Sequence, residues 1–260
     1  MKGNRRLNTK FICFSIWLII GATDALSANP FSWNGPYFGG SLGGLSTRNT
    51  VTWLPQQPVI FNVPPISGDN NSSSLIGGIL AGYSYQFLSE GVVGLEFDSS
   101  WTNAKKTMTK PWGSYIGLPF VGAFTNMKTS LNWLPSIRGR LGYLIAPNIL
   151  AYGAAGVAWA NIGYSANNDN NGHIEANGAA RYITSTNFSK TSLGYTVGGG
   201  LEWGIVKNLL VRAEYLFYQF NSSQNVIAQD STGNFPTYPS NYVWGNLAVN
   251  VVRAGLVFKF

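Results

Sequence analysis

Apolar and polar positions alternate along most of this chain, and its final residues show the pattern most clearly. From Val252 to Phe260 every second residue is apolar, while Arg253 and Lys259 lie among the residues between them. Successive side chains of a β-strand point to opposite faces, so a two-residue period predicts a strand. A strand that is apolar on one face, charged on the other and aromatic at its end is typical of a transmembrane barrel with lipid outside and a polar lumen inside.

Eight segments of this kind follow one another, and the connections between them alternate between short and long. An up-and-down transmembrane barrel has this rhythm, with short turns on the periplasmic side and long loops outside the cell. The sequence therefore predicts an all-β fold, an eight-stranded antiparallel up-and-down transmembrane β-barrel. The predicted short turns are residues 88–90, 145–148 and 206–208, and the predicted long loops are roughly residues 49–73, 104–128, 164–190 and 221–243.

Three segments fit the alternation less well. Residues 35–44 and 149–160 are so rich in glycine and alanine that the sequence does not decide which face points outward. In the last segment the apolar phase shifts near Val251. A β-bulge inserts one residue into a strand and exchanges its faces, so we expect a bulge there.

Composition favours a membrane barrel over two other classes. Charged residues make up 10% of the chain, against roughly 25% in soluble proteins, and aromatic residues make up 14%. A soluble barrel such as a lipocalin would point its apolar face inward, and such barrels rarely combine so many aromatic residues with so few charges. A helical membrane protein needs apolar runs of about 20 residues, and the longest run here, residues 11–22, is shorter.

The N-terminus has the layout of a secretory leader. Basic residues precede the apolar run, and small residues follow it up to Ala28, so we expect a signal peptide at residues 1–28 and the barrel domain at residues 29–260. A signal anchor is the alternative, which the short apolar run disfavours. Removal of the leader takes away Cys13, the only cysteine, and leaves 13 basic and 9 acidic residues, a net charge of +4 without a dense basic block. We therefore expect no disulfide, no thiolate metal site and no binding of nucleic acid.

Most of the remaining charged residues lie on the strand face opposite the apolar one. An eight-stranded barrel is just wide enough for side chains to fill it, and buried charges must pair. We therefore predict a lumen plugged by ion pairs, although the same charges could simply keep the lumen polar. The predicted network consists of Glu96, Asp98, Arg138, Arg140, Glu202, Arg212, Glu214, Arg253 and Lys259.

Turn length sets one of these pairs. A three-residue turn at Val206–Asn208 places Glu202 opposite Arg212, because a register longer by two residues would bring two glutamates together. We expect Glu96 and Asp98 to meet Arg138 and Arg140 on the next strand.

Several ordered motifs resemble one family, the OmpA-like, opacity-type outer-membrane barrels of Gram-negative bacteria that are often labelled porin-family proteins. The resemblance implies that both chain ends lie in the periplasm, and that the ending with Phe258 and Phe260 is the signal read by the barrel assembly machinery. The motifs lie at Trp33–Gly44, Ser136–Tyr143, Gly194–Trp203, Val211–Tyr218 and Val252–Phe260.

Few residues suggest catalysis or ligand binding. His173, the only histidine, lies in an asparagine-rich stretch of a predicted loop, whereas a Ser-His lipid enzyme would need a base held by an orienting partner. We predict no catalytic residue, no cofactor and no metal site. Four lysines flank the second long loop, where they would either contact lipopolysaccharide phosphates or be solvated. These are Lys105, Lys106, Lys110 and Lys128.

These observations predict a monomeric, non-enzymatic barrel of the bacterial outer membrane with a structural role in the envelope. Its partners would be outer-membrane lipid, lipopolysaccharide and the barrel assembly machinery, with host or surface ligands at the long loops. A small-solute porin is the alternative, which a bilayer conductance measurement would distinguish. An outer-membrane lipid enzyme is a third reading, which a loss of lipid modification in His173→Ala would reveal.

Overall fold

The computed structural model describes most of the chain after the predicted leader. The predicted signal peptide and His173 lie outside the described residues. The described part contains no helix that is long and apolar enough to cross a membrane. The described residues are 31–55, 64–112, 114–115, 118–119, 123–169, 181–234, 237 and 239–260.

These residues form strands joined by turns and irregular segments. The strands are β1 (Gly35–Arg48), β2 (Thr50–Pro55), β3 (Ile66–Asp69), β4 (Ser72–Phe87), β5 (Gly91–Pro111), β6 (Ser114–Tyr115), β7 (Leu118–Pro119), β8 (Phe124–Ala146), β9 (Ile149–Asp169), β10 (Ile183–Val206), β11 (Leu209–Phe220), β12 (Gln224–Ala228), β13 (Ser240–Trp244) and β14 (Leu247–Lys259).

Eight of the strands close into a barrel in the order β1-β14-β11-β10-β9-β8-β5-β4. Each barrel strand pairs antiparallel with the barrel strands before and after it in the chain, and β1 pairs with β14 to close the ring. This is the up-and-down topology that the alternating connection lengths predict, and the predicted fold class is confirmed.

The apolar face of the barrel strands points outward. The outward side chains remain exposed although they are large and apolar, as a wall in contact with lipid requires. Aromatic side chains are among them near both ends of the wall, for example Tyr143 and Trp203 beside the short turns and Trp101 far from them. Exposed apolar residues of the wall include Leu42, Leu95, Leu141, Leu193, Leu201, Val252 and Leu256.

The two glycine- and alanine-rich strands have a definite facing. In β9 the even-numbered residues are buried from Leu150 to Asn168, apart from Gly156, and the residues between them are more exposed. In β1 the buried positions are odd-numbered, including Tyr37 and Leu45. Tyr37 and Tyr152 therefore point into the lumen, whereas Phe38, Leu42 and Val157 belong to the outer wall.

The predicted bulge at Val251 is wrong. β14 pairs without a register shift with both β1 and β11. Leu247, Val249 and Val251 point inward and are buried in an apolar core. The apolar phase changes because the interior changes from ionic to apolar along one inward face, while the strand itself stays regular. A register shift occurs elsewhere, between β5 and β8 at Trp101/Ala104.

The predicted loops at 104–128 and 164–190 are also wrong over much of their length. In the first of these regions, β5 continues to Pro111 and β8 begins at Phe124. In the second, β9 continues to Asp169 and β10 begins at Ile183. β2, β3, β12 and β13 form a separate four-stranded sheet in the order β12-β13-β2-β3. We call these strand extensions and the four-stranded sheet together the cap. By the usual orientation of such barrels, the cap lies outside the cell.

An apolar core lies inside the cap. Trp53, Tyr242 and Trp244 contribute to it from the four-stranded sheet, and Met127 and Tyr164 contribute from the barrel extensions. All five side chains are buried. The cap is therefore a packed structure, with polar residues such as Lys128 left on its exterior.

One strand of the cap lacks a ladder partner along part of one edge, although β12 lies beside it. Away from the periplasmic turn, the ladder between β10 and β11 ends at the pair Gly194 and Phe220. Further along β10, Thr184 forms an isolated bridge with Asp230 in the same register. Between these two points, the described residues provide no strand partner on this side for residues 185–192. Such an edge offers backbone hydrogen-bonding groups to an incoming extended chain.

Candidate functional site

The most conspicuous group of polar side chains fills the middle of the barrel lumen. It contains as many carboxylates as guanidinium groups, so the cluster is electrically balanced. Each member stands at an inward position of its strand, which is why the sequence alternation could identify it. The eight buried members are Glu96, Asp98, Glu202, Glu214, Arg138, Arg140, Arg212 and Arg253.

Glu96 on β5 is the centre of this lumen network. Its carboxylate accepts hydrogen bonds from Arg138, from Arg140 Nη1 at 3.2 Å and from Arg212 Nη1 at 2.7 Å. The Tyr37 hydroxyl donates to the same carboxylate at 2.9 Å. Arg212 belongs to β11, on the opposite side of the ring from β5. The network therefore spans the full width of the lumen.

Glu214 on β11 is a second point of convergence. It accepts hydrogen bonds from Arg138 Nη1 at 3.2 Å, from Arg253 Nε at 2.8 Å and from the Tyr152 hydroxyl at 2.9 Å. Arg253 Nη1 in turn donates to Asp98 Oδ2 at 2.7 Å. Asp98 and Arg253 stand on β5 and β14, with two strands between them in the ring.

Glu202 completes the network as the sequence predicts. The register places it directly opposite Arg212, and the two groups approach to 2.6 Å. Glu202 also accepts a hydrogen bond from Arg140 Nη2 at 2.5 Å. The predicted three-residue turn at Val206–Asn208 is wrong, because Val206 still belongs to β10 and pairs with Leu209. A register shift between Gly204 and Val206 restores the predicted pairing of Glu202 with Arg212.

The structure differs from the expectation at two residues. Asp98 lies opposite Ser136, and its cation partners are Arg253 at 2.7 Å and Arg138 at 4.0 Å, with no ion pair to Arg140 among the described residues. Lys259 is buried but forms no ion pair in the described part of the chain. Its ammonium group instead donates to the Trp33 carbonyl at 2.9 Å and to Ser84 Oγ at 2.7 Å.

Two tyrosines of the lumen were missed by the sequence analysis. Tyr37 and Tyr152 donate to the glutamates, and the Arg140 guanidinium lies 3.9 Å from the centre of the Tyr152 ring. A cation over an aromatic face is attracted by the ring's quadrupole. The sequence does contain a signal for these two residues. Each is a large side chain in a strand made mostly of small residues, where the surrounding space can accommodate it.

The periplasmic end of the lumen is covered by the segment before β1. Trp33 is 1% exposed, and its indole nitrogen donates to the Pro147 carbonyl at 3.2 Å. Ser84 Oγ donates to the Trp33 carbonyl at 2.7 Å, which ties the segment to β4. Phe31 packs edge-on against Trp33 with ring centres 4.8 Å apart.

The other end of the lumen is closed by the aromatic core of the cap. Trp244 packs edge-on against Tyr164, with ring centres 5.4 Å apart. The Tyr242 hydroxyl lies 2.6 Å from Thr184 Oγ1, and burial raises the pKa of Tyr242. A tyrosine hydroxyl is protonated at neutral pH in any case, and the raised pKa keeps this one protonated under more alkaline conditions as well.

Free space beside the ionic residues is small. A void beside Arg140, Glu202 and Tyr152 has a volume of about 10 Å³. A water molecule needs roughly 10–15 Å³ by this kind of measure, so the void holds one water at most.

The four lysines do not form one group. Lys105 and Lys128 point outward and are exposed, and their neighbours across the β5–β8 ladder are Ser130 and Thr107. Lys106 and Lys110 are also exposed but share the β5 face of the buried residue Met108. Only Lys105 and Lys128 therefore point away from the barrel on its outer face.

The C-terminal aromatic residues are available at the periplasmic end of the wall. Phe258 is 51% exposed and Phe260 is 74% exposed, with ring centres 6.0 Å apart. Phe258 lies opposite Phe38 on β1. The assembly signal stays a prediction.

In the part of the chain that the structure describes, no three histidine, cysteine, aspartate or glutamate side chains are grouped as a metal ion would require.

Comparison with known proteins identifies the family of this chain. The chain is 24% identical over 243 residues to the 31 kDa outer-membrane immunogenic protein of Brucella melitensis, covering 92% of this chain and 88% of that protein. It is 27% identical over 234 residues to the 25 kDa outer-membrane immunogenic protein of Brucella canis, covering 90% and 82%. Among solved structures, Ail, the attachment invasion locus protein of Yersinia pestis, aligns with a TM-score of 0.36 and 14% identity over 87% of this chain and 99% of Ail. The family described as outer membrane protein beta-barrel domain matches residues 16–260, so this chain belongs to that family and is a β-barrel of the bacterial outer membrane.

Proposed function

We propose that this protein is a closed, non-enzymatic barrel that supports the outer membrane mechanically and presents its cap for contacts outside the cell. The observation that carries the proposal is the balanced cluster of four carboxylates and four guanidinium groups across the lumen. Ions or solutes would have to displace side chains that hold one another from several directions.

The energetics of buried charges support a static plug. Breaking one buried pair leaves an uncompensated charge and costs about 3–5 kcal/mol in proteins. Glu96 and Glu214 each accept hydrogen bonds from more than one arginine, so a single rotamer change cannot clear the lumen. Opening would require several such pairs to break together.

We expect the refolded protein to show negligible steady conductance in planar bilayers. The physical reason is that the ion pairs, Trp33 and the aromatic core of the cap occupy successive levels of the lumen. The measurement is single-channel recording, with a gel comparing unboiled and boiled samples to establish that the barrel is folded. A large, stable conductance from folded protein would favour the small-solute porin and contradict the closed barrel.

The cap supports the proposed surface role. Along the stretch of β10 without a ladder partner, the outward side chains of Ser185, Asn187, Ser189 and Thr191 are exposed. Backbone groups at such an edge can pair with an extended segment of another protein. Because β12 lies beside this stretch, an incoming segment would pair with β10 by displacing β12.

Lys105 and Lys128 are proposed to contact phosphates of the lipopolysaccharide core. On the outer wall they lie beyond the paired residues Trp101 and Trp133, on the side away from the periplasmic turns. Each strand residue adds roughly 2.5 Å of height at the usual strand tilt, which places Lys105 about 10 Å above this aromatic pair. That level corresponds to the sugars above the lipid headgroups.

Deletion of Phe260 is expected to leave most of the protein unassembled in cells. In the folded barrel, Phe260 adds one backbone hydrogen bond to the Pro36 carbonyl at 3.1 Å, and its side chain is exposed. Folding in detergent should therefore be nearly unchanged, because the lost interaction is recognition by the assembly machinery. The measurement is the heat-modifiable fraction in outer-membrane preparations.

Phe38→Leu is the matched control, because Phe38 lies beside Phe258 on the same outer surface but away from the chain end. Normal assembly of the deletion variant would contradict the role of the C-terminal aromatic residue.

A further inference from the structure

A polar notch interrupts the outer wall at the upper ends of β1, β11 and β14. It has a volume of about 530 Å³, and its lining includes Arg48, Asp69, Asn71, Gln219 and Asn246. Lower on the same strands, the wall carries exposed apolar residues such as Leu42 and Val252. The notch is therefore a polar concavity on the surface that faces the membrane.

The notch lies at the height of the outer-leaflet headgroups. Phe38 belongs to the periplasmic aromatic residues, opposite Phe258, and Arg48 lies at the other end of the same strand. Strand rise and tilt give roughly 2.5 Å of height per residue, which places Arg48 about 25 Å above Phe38. The apolar band of such barrels is about 25 Å tall, so Arg48 marks its upper limit. Leu42 and Val252, at lower levels of the same wall, are 76% and 64% exposed.

The charge of Arg48 is available to a ligand. No carboxylate lies within ion-pair distance of its guanidinium among the described residues, although Asp69 lines the same notch. A guanidinium group presents parallel donors that match the oxygens of a phosphate.

The amide side chains add further donors and acceptors. Asn246 Oδ1 accepts from the backbone nitrogens of Ser222 and Ser223, each at 3.1 Å, which leaves its amide nitrogen available as a donor. Gln219 Nε2 is 3.5 Å from two backbone carbonyl oxygens, so its Oε1 remains an acceptor. Together with the Asp69 carboxylate, these groups provide the mixed pattern that sugar hydroxyls require.

We propose that this notch binds the phosphorylated sugar headgroup of an outer-leaflet glycolipid. Arg48 contacts the phosphate, while Gln219, Asn246 and Asp69 contact sugar hydroxyl or amide groups. The Asp69 carboxylate disfavours a bare phosphate ion and favours a ligand that also brings hydrogen-bond donors. The acyl chains of the same molecule then lie against the apolar wall below. The inference deepens the proposed contact with lipopolysaccharide, on which it rests, by adding a second contact site for another lipid molecule on a different side of the barrel.

The test measures binding of bis-phosphorylated lipid A to the folded, detergent-solubilised protein by native mass spectrometry. Arg48→Gln is expected to weaken binding roughly tenfold, the size of one lost charge-assisted contact. Arg48→Lys should retain part of the affinity, because a point charge still attracts phosphate. Dephosphorylated lipid A should bind the wild-type protein and Arg48→Gln equally weakly.

The control is Lys105→Gln combined with Lys128→Gln, on a distant part of the wall. It should leave lipid A binding unchanged, because lipid A lacks the core sugars at the level of these lysines. An equal loss in this control, or unchanged binding in Arg48→Gln, would overturn the proposal. Competition by soluble glucosamine 6-phosphate at the same concentration as lipid A would also overturn it, because the ligand would then be a free sugar phosphate. None of these outcomes depends on bilayer conductance, so they are separable from a failure of the closed-barrel proposal.

Discussion

Replacing Glu96 with glutamine is expected to destabilise the folded barrel by about 3–5 kcal/mol, the cost of removing one partner from a buried charge network. Glu96 is fully buried and accepts hydrogen bonds from Arg138, Arg140 and Arg212. Glutamine keeps the size of the side chain but removes its charge, so one guanidinium charge in the lumen would lack its counter-charge. Urea unfolding of the protein in lipid vesicles, followed by the mobility of unboiled samples, measures the change.

Glu90→Gln provides the matched control for this experiment. Glu90 is exposed at the turn between β4 and β5, where it accepts a hydrogen bond from Tyr143. We expect its substitution to change the free energy of unfolding by no more than about 1 kcal/mol, as for other surface interactions. Combining Glu96→Gln with Arg138→Met restores the charge balance and should recover part of the lost stability. Wild-type stability in Glu96→Gln would show that the network is not held by its charges.

Replacing Trp244 with alanine is expected to cost about 3–5 kcal/mol, in the range of other large aromatic truncations in packed cores. Trp244 is fully buried, with ring centres 5.4 Å from Tyr164 and 6.0 Å from Phe188. Because these contacts lie in the cap, we expect the loss to appear first as local opening there. Limited proteolysis and hydrogen exchange of the β13 amides measure it, while the gel mobility of the folded barrel should persist.

Trp101→Ala is the control for the cap experiment. Trp101 is 50% exposed on the outer wall, so its truncation should remove little packing and leave cap protection unchanged. If Trp244→Ala and Trp101→Ala were cleaved at equal rates, the result would contradict the conclusion that the aromatic core stabilises the cap. Loss of the heat-modifiable band in Trp244→Ala would instead show that cap and barrel unfold as one unit.

The interior of the barrel changes from ionic to apolar along its length, and this change explains one error of the sequence prediction. Along β14, Arg253 belongs to the ionic layer, whereas Val251 and Val249 belong to the apolar core. The prediction assumed that each face of a strand keeps one polarity along its length. The change of polarity was therefore interpreted as a bulge. The same assumption classified the extensions of β5, β8, β9 and β10 as loops, because their outward residues are polar where the wall rises above lipid.

The sequence by itself determined the strand number, the outward apolar face and the pairing of Glu202 with Arg212. These features depend on side-chain period and on the favourable pairing of opposite charges across neighbouring strands, which act between residues close in the chain. Only the tertiary structure decided that Arg212 reaches Glu96, that Arg253 reaches Asp98 and that Lys259 binds the Trp33 carbonyl. Those contacts cross the lumen between strands that do not pair, or join distant parts of the chain. The strands that carry these residues are joined by long connections, which do not determine the relative heights of the strands. Those heights are set only when the barrel closes and the cap packs.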